Sequence, residues 1–142
     1  MILLIVLVLI LVVIYLIARS RGGSGGEHKQ DEYFDLKGPG KFDVGIVGES
    51  HYQTALRDVL GSLGRNEECQ AELLCEDNNP YDSNAVAVFI RGHKVGYLSR
   101  EVAPVYRAII RKGGFGRATG KCRARLFGGT KSKPSIGVWI DI

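Results

Sequence analysis

The stretch from Asp77 to Leu98, DNNPYDSNAVAVFIRGHKVGYL, constrains the fold more than any other part of the chain. A polar turn rich in Asn, Asp and Pro leads directly into an apolar strand. A short Gly-containing turn follows, then a second strand ending at Gly96, Tyr97 and Leu98. Asn78, Asn79, Asp82 and Asn84 can each cap a neighbouring backbone amide, and Pro80 fixes its own φ. The turn is therefore expected to be stiff, with Tyr81 displayed at its tip. Stiff loops on strand scaffolds are where binding residues tend to sit.

Around this unit the sequence lays out a small β-rich domain. KFDVGIVG at 41–48 alternates Phe42, Val44 and Ile46 as a first strand. Ser50 followed by Gln53 has the form of a capping box, and Tyr52, Ala55, Leu56, Val59 and Leu60 recur at helical spacing until Gly61 and Gly64. Strands are predicted at about 67–76, 84–91 and 93–98. A second helix is signalled by Val105, Tyr106, Ile109 and Ile110, with Pro104 in its first turn and Gly113-Gly114 as the stop. Two further strands, about 117–127 and 135–142, complete the chain, the last with Ile136, Val138, Ile140 and Ile142 on one face. Six short strands and two short helices point to a mainly β fold, a small OB-like or SH3-like β-barrel.

The three cysteines read as small core residues. Cys69 and Cys75 share the parity of Ala71 and Leu73, with Gln70, Glu72 and Glu76 outward, and Cys122 alternates with Ala124 and Leu126. They lack the paired short spacings of a zinc site, so no metal or other cofactor is expected.

Ile2 to Ala18 is an unbroken apolar run, followed at once by Arg19 and Arg21. As a helix it spans roughly 25 Å, close to the hydrocarbon thickness of about 30 Å. A secretory signal peptide would carry its positive charges before the run, and here they come after it. Residues 1–21 are therefore read as one N-terminal transmembrane helix, with the N-terminus outside and the remainder cytoplasmic. Residues 22–40, beginning GGSGG, are a flexible linker, and 41–142 form one domain.

Charge is unevenly spread along that domain. Residues 41–90 carry three Lys/Arg against nine Asp/Glu, whereas 91–142 carry twelve against two. Arg117, Lys121, Arg123 and Arg125 share the outward parity of one strand. Arg107 and Arg111 repeat at i, i+4 on the second helix, away from Ile109 and Ile110. Such a basic patch suits a polyanion. The competing reading pairs these bases with outward Glu72 and Glu76 on a neighbouring strand, and anionic lipid headgroups are a further candidate partner.

Taken together, IVGESHY at 46–52, DNNPYDSNAVAVF at 77–89 and VGYLSREVA at 95–103 resemble the HIRAN domain family over nearly all of 41–128. The resemblance implies an OB-like or SH3-like barrel that binds single-stranded DNA and grips a free 3′ end. Asn79, Tyr81 and Asp82 match the family loop in which the ring stacks on a terminal base and the carboxylate accepts a hydrogen bond from the 3′-hydroxyl. Arg100 matches a basic phosphate contact. Stacking contributes roughly 1–3 kcal/mol per base and tolerates any sequence, and an anionic acceptor disfavours a 3′-phosphate. Asp82 has a second reading as a turn cap for Asn84.

The chain departs from the family at GESHY, where members that bind DNA often carry arginine and tyrosine in place of Ser50 and His51. His51 can still stack or meet a phosphate, and Tyr52 is the adjacent aromatic. Weaker affinity than the family norm is the expected consequence. The sequence shows no catalytic constellation, and no Walker-type loop for an ATPase. The expectation is a membrane-anchored, non-catalytic, nucleic-acid-binding module. Its rival is a protein- or anionic-lipid-binding adaptor that has kept the barrel and lost DNA-end binding.

Overall fold

The computed structural model describes residues 32–64, 66–116 and 118–142. The transmembrane expectation for 1–21 lies outside these residues, and among those described no helix is long and apolar enough to cross a membrane. In chain order the strands are β1 (Tyr33–Asp35), β2 (Val44–Gly45), β3 (Glu68–Cys75), β4 (Val86–Ile90), β5 (His93–Tyr97), β6 (Thr119–Gly128) and β7 (Ile136–Asp141). The helices are α1 (Gln53–Leu63) and α2 (Val102–Lys112), with a 3-10 turn over Glu49–His51 before α1.

The strands run in the order β2-β7-β6-β3-β4-β5, each pair antiparallel. Alternation decides which side of each strand is buried. Ala71 and Leu73 of β3, Cys122, Ala124 and Leu126 of β6, and Ile136, Val138 and Ile140 of β7 all enter the core. Leu56 and Val59 of α1 and Ala103, Tyr106 and Ile110 of α2 join them. Leu56 is fully buried, and a side chain of that size contributes roughly 1.5–3 kcal/mol by leaving water. Cys69 and Cys75 pack half-buried against this core, and burial pushes the thiol of Cys122 up to about 12. The cysteines are thus structural side chains, as their parity suggests.

Residues 44–47 join the two ends of the sheet. Val44 and Gly45 pair with Ile140 and Trp139 of β7. Two residues later, Val47 exchanges hydrogen bonds of 2.8 and 2.9 Å with Tyr97 of β5. The sheet thereby curls into the expected barrel-like unit. Gly96 is required beside this junction, because a Cβ there would sit 2.5 Å from the Val47 carbonyl oxygen.

Several local expectations are corrected. The first strand shrinks to Val44–Gly45, because Phe42 has φ 50 and leaves the strand path. Its ring is covered by the guanidinium groups of Arg125 and Arg123, at 4.2 and 5.3 Å, outside the central core cluster. A seventh strand, β1, lies in the segment read as linker and runs parallel to residues 119–121 of β6. Burial of Phe34 against Phe115, with centroids 4.5 Å apart, holds it there.

Ser50 does not cap α1, whose N-cap is Tyr52 with no side-chain bond. Gln53 instead bonds both the amide and the carbonyl of Ile136 at 2.9 Å, and Glu49 accepts from the Val138 amide at 3.3 Å. These side chains satisfy backbone groups of β7 that a longer β2 would have paired. Gly61 stays within α1, and the helix ends at Gly64, whose φ of 91 suits glycine. On α2 only one stripe can face the sheet. Ala103, Tyr106 and Ile110 take it, which leaves Val105 and Ile109 each 58% exposed, against the expectation that both were inward.

Candidate nucleic-acid interface

The loop between β3 and β4 is built around Asn79. Its side-chain oxygen accepts the amides of Tyr81 at 2.9 Å and Asp82 at 3.2 Å, and its own amide bonds the Glu76 carbonyl at 3.3 Å. Asp82 Oδ1 accepts the Asn84 amide at 2.9 Å, and the Ala85 amide closes on the Asp82 carbonyl at 3.1 Å. The side-chain bonds are Asx turns, and with the backbone closure they fix the amides of residues 81, 82, 84 and 85. They leave Tyr81 86% exposed at the tip, as its place in the sequence suggests. The capping role of Asp82 is therefore real, but it occupies one oxygen, and Oδ2 makes no hydrogen bond among the described residues.

Beneath the loop lies an ionic network. Lys94 and Tyr97 of β5 both reach Glu76: the Lys94 ammonium pairs with Oε1, while the Tyr97 hydroxyl donates to Oε2 at 3.0 Å. Asn79 Nδ2 donates to the same Oε2 at 3.1 Å, so Glu76 orients the amide that organises the loop. Burial alone would raise the Glu76 carboxyl, but bonds from Lys94, Asn79 and Tyr97 outweigh it and hold it below the ordinary value. Burial would likewise lower Lys94, and its bonds to Glu76 and Tyr97 raise it instead. Both groups are charged at neutral pH. The Tyr52 ring lies 6.5 Å from that of Tyr97, tilted by 54°. This places Tyr52, and exposed His51 beside it, on the side of the barrel from which the loop springs.

Sequence reasoning treated Glu76 as an outward strand residue available to the arginines of β6 and gave Lys94 no role. Strict alternation puts Lys94 and Tyr97 on opposite faces. A register shift at Val88/Phe89 pairs Phe89 with Lys94 and Val88 with Gly96, and so turns both side chains to Glu76.

Arg107 does not belong to a solvated patch. Its guanidinium reaches across to the loop, bonding Asp77 Oδ1 at 2.7 Å and the carbonyls of Asn84 and Ala85 at 2.9 and 2.8 Å. It ties α2 to both ends of the loop. Arg100 lies exposed just before α2, whose first turn is held by the Ser99 hydroxyl and carbonyl.

The β6 bases do line one outer face, but their charge is largely matched. Arg125 bonds Glu68 at 2.5 Å, Arg123 bonds Asp141 at 2.6 Å, and Lys121 covers the Tyr33 ring at 3.7 Å. The compensating acids are Glu68 and Asp141, in place of the Glu72 and Glu76 considered from sequence. Asp141 is buried, which would raise its carboxyl, yet Arg123 and the Gly40 and Lys41 amides hold it below the ordinary value. Arg117 lies outside the described residues. Arg111 and Lys112 remain exposed in the last turn of α2.

These features define a class: a small barrel-like β domain that presents an aromatic residue on a loop stiffened by Asx turns and an ion pair. The family profile of the HIRAN domain matches residues 39–125, and the chain belongs to that family. HIRAN domains are in general nucleic-acid-binding modules. A solved structure of a Lactobacillus plantarum protein is similar, at 23% identity and a TM-score of 0.46, covering 68% of this chain and 85% of that one. No curated protein sequence matches the chain.

Proposed function

We propose that this chain binds single-stranded DNA at a free 3′ end, as a non-catalytic module held at a membrane by its first 21 residues, with the domain in the cytoplasm. The observation that carries the reading is Tyr81, presented 86% exposed on a loop whose neighbouring amides are already satisfied. A terminal base stacks on that ring without a large ordering cost, because the backbone is fixed beforehand. The free oxygen of Asp82, next in sequence, accepts a hydrogen bond from a 3′-hydroxyl and repels a 3′-phosphate. Asn79 holds the loop, His51 and Tyr52 offer further contact beside Tyr97, and Arg100 meets a backbone phosphate.

The remaining bases contribute unequally. Arg111 is free to join a phosphate path, whereas Lys121, Arg123 and Arg125 must first give up acidic or aromatic partners. Affinity resting on so few free cations should be modest and should depend only moderately on salt.

The test is fluorescence anisotropy of the full chain in detergent, titrated with a short single strand ending in a 3′-hydroxyl, the same strand with a 3′-phosphate, and a duplex. Selective binding of the 3′-hydroxyl strand supports the reading. Equal, salt-sensitive binding of all three reduces it to a general polyanion surface. No binding favours the adaptor, which keeps the barrel for a protein or lipid partner.

A further inference from the structure

Lys94 has an N–H donor that the network beneath the Tyr81 loop does not use. Its ammonium pairs with Glu76 Oε1 and donates to the Tyr97 hydroxyl at 3.1 Å. An ammonium carries three donors, and no acceptor among the described residues takes the last. The side chain is 29% exposed, which leaves that donor open to a ligand. The rings of Tyr97 and Phe89, with centroids 5.1 and 5.7 Å from Nζ, flank the ammonium and help to hold it in place.

Three hydrogen bonds connect this cation to Asp82. Lys94 bonds Glu76, Glu76 accepts from Asn79 Nδ2, and the Asn79 side-chain oxygen holds the Asp82 amide at 3.2 Å. The charges around the loop are unevenly balanced. Glu76 is matched by Lys94 and Asp77 by Arg107, but the Asp82 carboxylate has no cation bonded to it among the described residues. A nucleotide whose 3′-hydroxyl meets Asp82 carries its own phosphate one sugar ring away, and a second phosphate follows on the next nucleotide. Those anions approach two carboxylates, Asp82 and Glu76, so a cation must face them there. Arg107 is committed to Asp77, Asn84 and Ala85, and its side chain is only 13% exposed. Arg123 and Arg125 bond acids on the outer face of β6. Arg100 meets one phosphate in the reading above, and Lys94 is placed for another.

We propose that Lys94 binds a backbone phosphate at one of the two linkages nearest the 3′ end, sharing its ammonium between that phosphate and Glu76. The inference rests on the end-binding reading above and extends it to a residue outside the loop. Both partners of the ion pair are partly exposed, so the pair is weak and leaning toward a phosphate loses little of it. Burial would lower the Lys94 ammonium, but Glu76 and Tyr97 raise it, and the cation is present at neutral pH. The register shift at Val88/Phe89 makes the contact possible, because it turns Lys94 to the face of Tyr97 and the loop. A lysine acts there as a point charge on a flexible stem, so it adds affinity and positions the strand without reading its bases.

The test is fluorescence anisotropy of the full chain in detergent with a short single strand ending in a 3′-hydroxyl. Two further strands are each made neutral at one of the last two linkages by a methylphosphonate. In the parent chain one neutral linkage should weaken binding roughly five- to tenfold. Lys94→Gln should weaken the ordinary strand by a similar factor and make the slope of log K against log salt shallower by about 0.7, with no further loss on the neutral linkage. Losses that simply multiply overturn the proposal, because they place Lys94 and the phosphate in separate contacts. Glu76→Gln/Lys94→Gln tests whether Lys94 only neutralises Glu76: binding that stays weak supports the phosphate contact, and recovery of parent affinity overturns it. Two neutral linkages that bind the parent chain as tightly as the ordinary strand overturn it without any variant. A parent chain that fails to bind the 3′-hydroxyl strand removes the end-binding reading itself. A parent that binds selectively, beside a Lys94→Gln chain that binds equally well, removes only the role of Lys94.

Discussion

Arg107→Met separates the two roles open to this arginine, loop anchor and phosphate ligand. Its side chain is 13% exposed and bonds Asp77 and the carbonyls of Asn84 and Ala85. Asp77 is 37% exposed, so the ion pair itself is discounted to about 0–1 kcal/mol. Each charge-assisted bond to a carbonyl contributes about 1.5–3 kcal/mol in favourable cases, and methionine preserves most packing of the stem. The Ala85 carbonyl keeps the Glu76 amide at 2.9 Å, which lowers the cost of losing the arginine. The net expectation is a loss of roughly 2–4 kcal/mol, or about 10–20 °C in Tm for a domain of this size. Binding should weaken as the loop loosens, while the slope of log K against log salt stays unchanged. Thermal unfolding and anisotropy titrations at several salt concentrations give both quantities. A slope shallower by about 0.7 with Tm preserved would refute this reasoning and return Arg107 to the phosphate patch.

Tyr81→Ala should weaken single-strand binding by roughly 1–3 kcal/mol, fivefold to more than a hundredfold, without moving Tm; an unchanged Kd excludes the ring from the site. Gly96→Ala forces a Cβ to 2.5 Å from the Val47 carbonyl and should cost about 1–3 kcal/mol in denaturant unfolding, whereas an unchanged midpoint would contradict the described junction. Asp141 has a folded pKa below its ordinary 3.8, so its contribution is complete above that value and is lost as pH falls through the folded one. Asp141→Asn should therefore flatten the acid limb of Tm against pH, and a limb as steep as that of the parent chain would place the linkage elsewhere.

The parts of the fold that were legible in the sequence are those governed by local rules. Strict alternation in β3, β6 and β7 identified their buried faces, and the Asn/Asp/Pro turn announced a stiff loop with Tyr81 outward. What escaped depends on long-range partners. Ser50 and Gln53 have the spacing of a capping box, but the unpaired edge of β7 claims Gln53. Val105, Ile109 and Ile110 are equally apolar, and only the position of the sheet decides which of them is buried. Lys94 and Tyr97 share Glu76 because a register shift breaks the two-residue period. Parity correctly put Lys121, Arg123 and Arg125 outside, yet it carries no information about Asp141, which reaches Arg123 from β7. Arg107 looked like a surface cation for the same reason: its partners lie 22 to 30 residues earlier in the chain.

The most direct test of the account is a map of backbone amide shifts by nuclear magnetic resonance as a short single strand with a 3′-hydroxyl is added. The account predicts that the largest shifts fall on residues 76–84, with His51, Tyr52 and Arg100 following, and that Lys121, Arg123 and Arg125 move little. Shifts centred on 121–125, with Tyr81 and Asp82 unmoved, would contradict it.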